Sequence, residues 1–218
     1  MEFLKKYKIK IKDKELLNMA LTHSSYANEN NVSDYERLEF LGDAILQIIM
    51  SEYFYLNTDH FEGEMTKIRA SFVCETALAE YSKSIGVAPY VKLGEGQKSD
   101  LNDTILADVF ESILGAIYLS NGYNDAKKLI YEVVIPYVKD NKKFISDYKS
   151  LLQEEIQTSK KTLEYITINE KGPAHDKTFT IEVRIDNIIY GRGVGKSKKE
   201  AEQAAAYDAY KKRARMRE

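Results

Sequence analysis

The stretch YERLEFLGDAI, residues 35–45, carries three carboxylates: Glu36, Glu39 and Asp43. A helix normally sets an acid against lysine or arginine three or four residues away. Glu39 and Asp43 are four apart, and that spacing puts like charges side by side. At about 100° per residue the three acids fall within an arc of roughly 60°, with Leu38, Leu41, Ile45, Ile48 and Ile49 on the other side. By itself this is also the pattern of an amphipathic helix with a wet acidic face. A second pair weighs against that simple reading. In ILADVFESILGAIYL, Asp108 and Glu111 are the only charged residues among fifteen. A helix apolar nearly all round is a buried helix, and a buried carboxylate without a partner is costly. Two partners fit. One is an ion pair with Arg37, Lys67 or Arg69. The other is a divalent cation shared by both acidic pairs. Oxygen ligands without nearby histidine select Mg²⁺ or Mn²⁺ rather than Zn²⁺.

Other chemically suggestive residues carry less. Glu62 and Glu64 precede Lys67 and Arg69, which is ordinary dressing for a helix start. In Thr22-His23-Ser24-Ser25 no aspartate is placed to orient the histidine, so a hydrogen-bonding role is expected there rather than a nucleophile. GRGVGKS fails as a phosphate loop because the position that needs glycine is Tyr190. Ser197 and Glu200 have capping-box spacing, which puts Lys198 and Lys199 in the first turn of the last helix. Cations are disfavoured there by the helix dipole. A phosphate bound at that end would reverse the balance; two exposed lysines without a role are the plain alternative.

The elements that must hold these residues divide the chain in two. Residues 13 to about 138 read as helical almost throughout. GEMTKIRASFVCETALAEYSKSIG reads as a helix that ends at Gly86, and NDAKKLIYEVVIPYV as another. KDNKKFISDYK is a short polar linker. Beyond it come a helix, three alternating runs (LEYITINE, KTFTIEVRI, IIYGRGVG) and a last helix from Ser197 to about Arg213, with turns at Gly172-Pro173 and Asp186-Asn187. The expected architecture is an all-α first domain at 1–140, a linker at 141–146, an α-β-β-β-α domain at 147–214 and a basic tail at 215–218. Charge follows the same division. Residues 1–144 hold 17 basic and 22 acidic side chains; residues 145–218 hold 15 and 12. Cations for the first part and phosphates for the second would suit that asymmetry. No apolar run reaches the roughly 20 residues that span a bilayer. The N-terminus has no signal-peptide core, and the single cysteine, Cys74, forms no internal disulfide. A cytoplasmic protein is expected.

YERLEFLGDAI resembles the signature of bacterial ribonuclease III. ALTHSSYANE, EGEMTKIRASFV and ILADVFESILGAIYL resemble the family's other blocks, in the same order. The α-β-β-β-α tail resembles the double-stranded-RNA-binding domain that follows the nuclease in that family. The resemblance covers essentially the whole chain. It implies a Mg²⁺-dependent endoribonuclease, with Mn²⁺ expected to substitute. Such an enzyme cuts both strands of duplex RNA, leaves 5′-phosphate and 3′-hydroxyl ends with a short 3′ overhang, and serves rRNA and mRNA processing. Glu39, Asp43, Asp108 and Glu111 would hold the metal, with Glu36 and Glu62 as further acids of the catalytic valley. Phe40 would sit at the contact of a homodimer. Ser150, Gln153, Glu154 and Gln157 would meet one minor groove, and Pro173 and His175 a second. Lys196, Lys198 and Lys199 would straddle the phosphates between. Glu202 departs from the pattern, which often has a third lysine at that position. Two other functions compete: a duplex-RNA-binding regulator that does not cut, and a helical metal-dependent hydrolase of small phosphate esters.

Overall fold

In the computed structural model, residues 2–97, 101–140, 142, 144, 147–157, 161–173 and 177–215 are described. They form two compact units, Met1–Ser146 and Asp147–Glu218.

The first unit is helical. Its elements are α1 (Glu2–Lys5), α2 (Lys14–Ala20), α3 (Ser24–Asn30), α4 (Glu36–Asn57), α5 (Glu62–Phe72), α6 (Glu75–Ile85), α7 (Asp103–Asn121), α8 (Tyr123–Val133) and α9 (Ile135–Lys139). Side chains that compete for backbone N–H groups set several starts. Asp13 caps α2 through the N–H of Glu15 and Leu16, and Asn102 caps α7 through Ile105 N–H. Two expected helices are each divided. The run from Glu62 to Ile85 breaks at Val73-Cys74, where Cys74 turns extended as the cap of α6. The helix after Gly122 breaks at Val134, ahead of Pro136, whose missing N–H suits a fresh first turn. Gly86 ends α6 in the left-handed conformation, at φ 76°.

The expectation that α7 is buried nearly all round holds. Ile105, Leu106, Val109, Phe110, Ile113, Leu114 and Ile117 are all buried. It runs through the middle of the core, and α4 lays Leu38, Ile45, Leu46, Ile49 and Met50 into the same core. Phe144, inside the segment read as a linker, is buried against Phe72, Tyr81 and Tyr137.

The second unit has the expected α-β-β-β-α order: α10 (Tyr148–Gln157), β1 (Leu163–Lys171), β2 (Thr178–Ile185), β3 (Ile188–Gly195) and α11 (Lys198–Arg215). The strands pair antiparallel in the order β1-β2-β3. Asp186 and Asn187, both at positive φ, make the two-residue β2–β3 turn, a conformation these residue types tolerate. Leu152 and Ile156 of α10 and Ala201, Ala205, Ala206 and Ala209 of α11 pack on Ile181, Val183 and Ile185 of β2. Helices thus cover one face of the sheet, with small alanines allowing α11 to lie close.

Candidate functional site

Two glycines bring the acidic pairs together. A Cβ added at Gly42 of α4 would stand 1.8 Å from the backbone oxygen of Glu111 in α7. One added at Gly115 of α7 would stand 2.4 Å from the backbone oxygen of Leu38. With no side chain at the crossing, the two helices touch backbone to backbone. Glu39 and Asp43 then flank the crossing from one side, and Asp108 and Glu111 from the other.

The electrostatics follow from that placement. Burial pushes the Glu111 carboxyl up to about 8, and Asp43, Glu39 and Asp108 add to the shift. Burial pushes Glu39 up to about 7, helped by Asp108, Glu36, Asp34 and Asp43. Asp108 is also raised, first by burial, with a hydrogen bond from Tyr35 pulling the other way. The charges acting on Glu111 and Glu39 are all acidic. Among the described residues, no lysine or arginine is ion-paired to Glu39, Asp43, Asp108 or Glu111. Of the three cations that sequence reading offered as partners, Arg69 spends its guanidinium on Ser51 Oγ at 2.6 Å. Glu39 and Glu111 sense the other acids of the set, yet the side chains stand apart, as like charges do: among the described residues no three acids, histidines or cysteines form a ready-made metal cluster. The donor set is oxygen only, partly buried and short of positive charge, which suits a hard divalent cation.

The two outlying acids divide. Glu36 is exposed but close enough to raise both Glu39 and Asp108. Glu62 opens α5 and lines a different hollow, with Ser51, Phe54, Tyr55, Met65 and Arg69; it is not among the groups that shift Glu39, Asp108 or Glu111. His23 is structural, as expected: it caps α3, and its Nδ1 accepts the Ser25 N–H at 3.1 Å.

Sequence reading missed two neighbours. Glu75, at the start of α6, adds to the upward shift of Asp108. Tyr35 donates its hydroxyl to Asp108 Oδ2 at 3.1 Å. No spacing rule reaches a contact across 73 positions; the only signal was an aromatic residue just ahead of the acidic stretch.

Phe40 is 81 % exposed on α4. It borders a hollow of about 730 Å³ lined by Leu16, Met19, Leu38, Leu41 and Leu119. An exposed phenylalanine beside an apolar hollow large enough to receive such a side chain is a patch able to match a second copy of itself.

In the second unit, a cleft of about 390 Å³ is lined by Lys149, Ser150 and Gln153 of α10 and by Lys199 and Gln203 of α11. The Ser150 hydroxyl donates to Asp147 Oδ2 at 2.6 Å, closing the start of α10. Glu154, Gln157 and Pro173 are exposed. His175 lies outside the described residues. At the start of α11, Glu200 N–H donates to Ser197 Oγ at 3.1 Å, while the Glu200 carboxylate takes the Lys196 N–H at 2.8 Å. The reciprocal cap thus closes one residue earlier than the expected box. Lys196, Lys198 and Lys199 are exposed around this turn, and Lys198 reaches Glu170 of β1 at 3.3 Å. Glu202 pairs with Lys149 at 2.5 Å, so the acid at the departing position is compensated within the unit.

A family model described as ribonuclease-III-like matches residues 13–138, and one described as a double-stranded RNA binding motif matches 148–213. The chain is 48 % identical to ribonuclease 3 of Phytoplasma mali, over 93 % of this chain and 92 % of that protein. It is 45 % identical to ribonuclease 3 of Streptococcus uberis, over 94 % and 93 %. Among solved structures, the nuclease domain of ribonuclease III from Campylobacter jejuni, described as structurally flexible in a region involved in dimer formation, superposes with a TM-score of 0.57. It is 32 % identical and covers 62 % of this chain and 94 % of that domain.

Proposed function

We propose that this chain, which belongs to the ribonuclease III family and is an endoribonuclease for double-stranded RNA, works through Mg²⁺ held by Glu39, Asp43, Asp108 and Glu111. The single observation that carries the metal reading is the crossing at Gly42 and Gly115. Four carboxylates flank it; burial raises three of them, neighbouring acids add to each of those shifts, and no basic side chain is ion-paired to the four among the described residues. Such a site binds a cation or stays protonated.

Bound there, Mg²⁺ would supply the charge that offsets the anionic phosphodiester and the acidity that makes water a nucleophile near neutral pH. The protein's part is separate. Glu111 and Glu39, pushed up to about 8 and about 7 in the metal-free protein, would have to give up their protons to hold the cation. Asp43, on the exposed edge of the crossing, faces the solvent from which a duplex arrives. The backbone contact of α4 with α7 fixes the spacing of the set, so that attack in line with the leaving 3′ oxygen gives a 5′-phosphate and a 3′-hydroxyl. Glu36 lends further negative potential at the rim. Glu62 is assigned to the same valley on the family pattern alone.

The second unit would bind the substrate. Lys196, Lys198 and Lys199 surround a helix start, where free N–H groups and the dipole favour phosphate. Ser150, Gln153, Glu154 and Gln157 would face one minor groove, and Pro173 and His175 the next. Such domains read A-form shape and 2′-hydroxyls over about 16 base pairs. Phe40 and its neighbouring hollow support a homodimer in which each copy supplies one cutting centre. Mn²⁺ is proposed to substitute, and structured rRNA and mRNA precursors in the cytoplasm are the proposed cellular substrates.

One incubation tests the core of this reading. Long duplex RNA should be cut with Mg²⁺, and bound but left whole with Ca²⁺. Glu111→Gln should fold, bind duplex RNA and lose at least 10³-fold in cutting rate, the order expected when a principal source of charge stabilisation is removed. A Glu111→Gln protein that cuts at the wild-type rate removes Glu111 from the reaction.

A further inference from the structure

We infer that Tyr35 is the positioning residue of the cation site, and that its hydroxyl fixes the rotation of the Asp108 carboxylate by holding one of its two oxygens. This rests on the proposal that Asp108 is a metal ligand, and adds a residue to it.

Tyr35 is placed like a fixed strut. It precedes α4, is 3 % exposed, and donates its backbone N–H to Thr22 O at 3.0 Å. Its ring meets the His23 imidazole edge-on, with centroids 5.7 Å apart. That imidazole is itself held. Its Nδ1 accepts the Ser25 N–H at 3.1 Å and lies 2.8 Å from Ser25 Oγ, which in turn accepts the Gly94 N–H at 2.9 Å. With Nδ1 as the acceptor of the Ser25 N–H, the imidazole is fixed in place against Tyr35. With backbone, ring and neighbour all tied, the hydroxyl has one place to go: Asp108 Oδ2 at 3.1 Å.

The rest of the acidic set makes the contact informative. Among the described residues, Tyr35 is the only side chain that hydrogen-bonds to Asp108, and Glu39 and Glu111 accept no side-chain hydrogen bond. Asp43 takes one from its own helix, Gln47 Nε2 at 3.2 Å. Asp108 is therefore the one carboxylate of the four whose rotation is set from another element. Phenols near carboxylates keep their protons, and here burial and Asp108 itself hold the Tyr35 hydroxyl in its donor form. A hydrogen bond of this kind leaves a ligand its charge while removing its freedom to turn, and partners of this sort typically account for 10–100-fold in metal affinity.

Tyr35→Phe keeps the ring, its packing on His23 and the backbone tie, and deletes only the donor. Three readouts separate the outcomes. Mn²⁺ and Mg²⁺ binding to the RNA-free protein, measured by calorimetry, should weaken by about tenfold or more. The cleavage rate should need correspondingly more Mg²⁺, yet approach the wild-type maximum once Mg²⁺ saturates. The thermal midpoint without metal should stay within a few degrees of wild type, as for loss of one hydrogen bond. A merely structural tyrosine would lower the midpoint and leave cation affinity alone. If wild type binds the cation and Tyr35→Phe binds it equally well, Tyr35 has no positioning role, although the metal site stands. If wild type itself binds neither ion, the metal site falls and the role of Tyr35 with it.

Discussion

At the scale of single residues, the site is defined by carboxylates that are reluctant to ionise. Glu111 and Glu39 titrate near 8 and 7 in the metal-free protein, well above the usual carboxylate range. The sign of the consequence follows from linkage. Between the unfolded pKa, about 4.3 for glutamate, and these raised values, the folded state holds more protons than the unfolded one. Stability therefore falls as pH rises through that window. Without metal, the thermal midpoint of the nuclease unit should drop steadily from pH 5 to pH 8. Mg²⁺ should restore more of it at pH 8 than at pH 6, and Glu111→Gln should flatten the profile. A scan of midpoint against pH, with chelator and with Mg²⁺, checks all three; a flat profile for the wild type without metal would mean that the acids are relaxed by something else. The acids themselves were legible in the sequence, because two charges in a fifteen-residue apolar run are conspicuous. The hydroxyl that orders one of them was not. Tyr35 reaches Asp108 across the tertiary fold, and nothing in local spacing encodes such a contact.

At the scale of elements, the site is a helix crossing. Periodicity revealed α4 and α7 as long helices with the acids on definable faces, but it gave no reason for the two to meet where they do. That reason is Gly42 against Glu111 and Gly115 against Leu38. The sequence contains both glycines, but their role is visible only once the partner backbone is in place. The same limit explains the two divided helices. Glu62–Phe72 and Glu75–Ile85 have continuous helical periodicity on paper, and the break at Val73-Cys74 bends the chain back over the core with no proline or glycine to announce it. By contrast the Asp186-Asn187 turn was readable, because its backbone needs the residue types found there. Gly42→Ala should therefore act far beyond its size. The new methyl would sit 1.8 Å from Glu111 O, and the helices must part to admit it. Overpacking of this kind costs about 3 kcal/mol, which for a unit of this size lowers the thermal midpoint by roughly 10 °C. Cleavage in the surviving folded fraction should fall by about 10²-fold or more, since ligands spread by an ångström no longer share a cation well. Gly63→Ala is the control: a Cβ there meets nothing within 4 Å, and its midpoint should hold or rise. Equal midpoints for the two variants would show that α4 and α7 have slack at the crossing.

At the scale of the whole molecule, cutting and binding are assigned to separate units of opposite charge, and the proposed dimer would couple the two through copy number. A single RNA-binding unit spans about 16 base pairs, so a dimer carries two such units and can grip a longer duplex twice. The second grip is intramolecular and adds avidity of 10²–10⁴ without any new contact, provided both units can reach the same duplex. Phe40 is the residue through which that coupling can be cut without touching either the acids or the lysines. It is 81 % exposed, stands beside an apolar hollow lined by Leu16, Met19, Leu41 and Leu119, and contributes nothing to its own core. Replacing it by glutamate puts a charge where a partner's apolar hollow would have to receive it. Phe40→Glu should sediment as a monomer at concentrations where the wild type is a dimer, with its thermal midpoint nearly unchanged. Its affinity for a 16-base-pair duplex, measured in Ca²⁺ so that nothing is cut, should match the wild type. Its affinity for a duplex of about 40 base pairs, long enough for two units, should fall by tenfold or more. The length dependence is the decisive part. An equal loss on both duplexes would place Phe40 in direct contact with RNA, and a variant that remains dimeric would mean that this face is not where two copies meet.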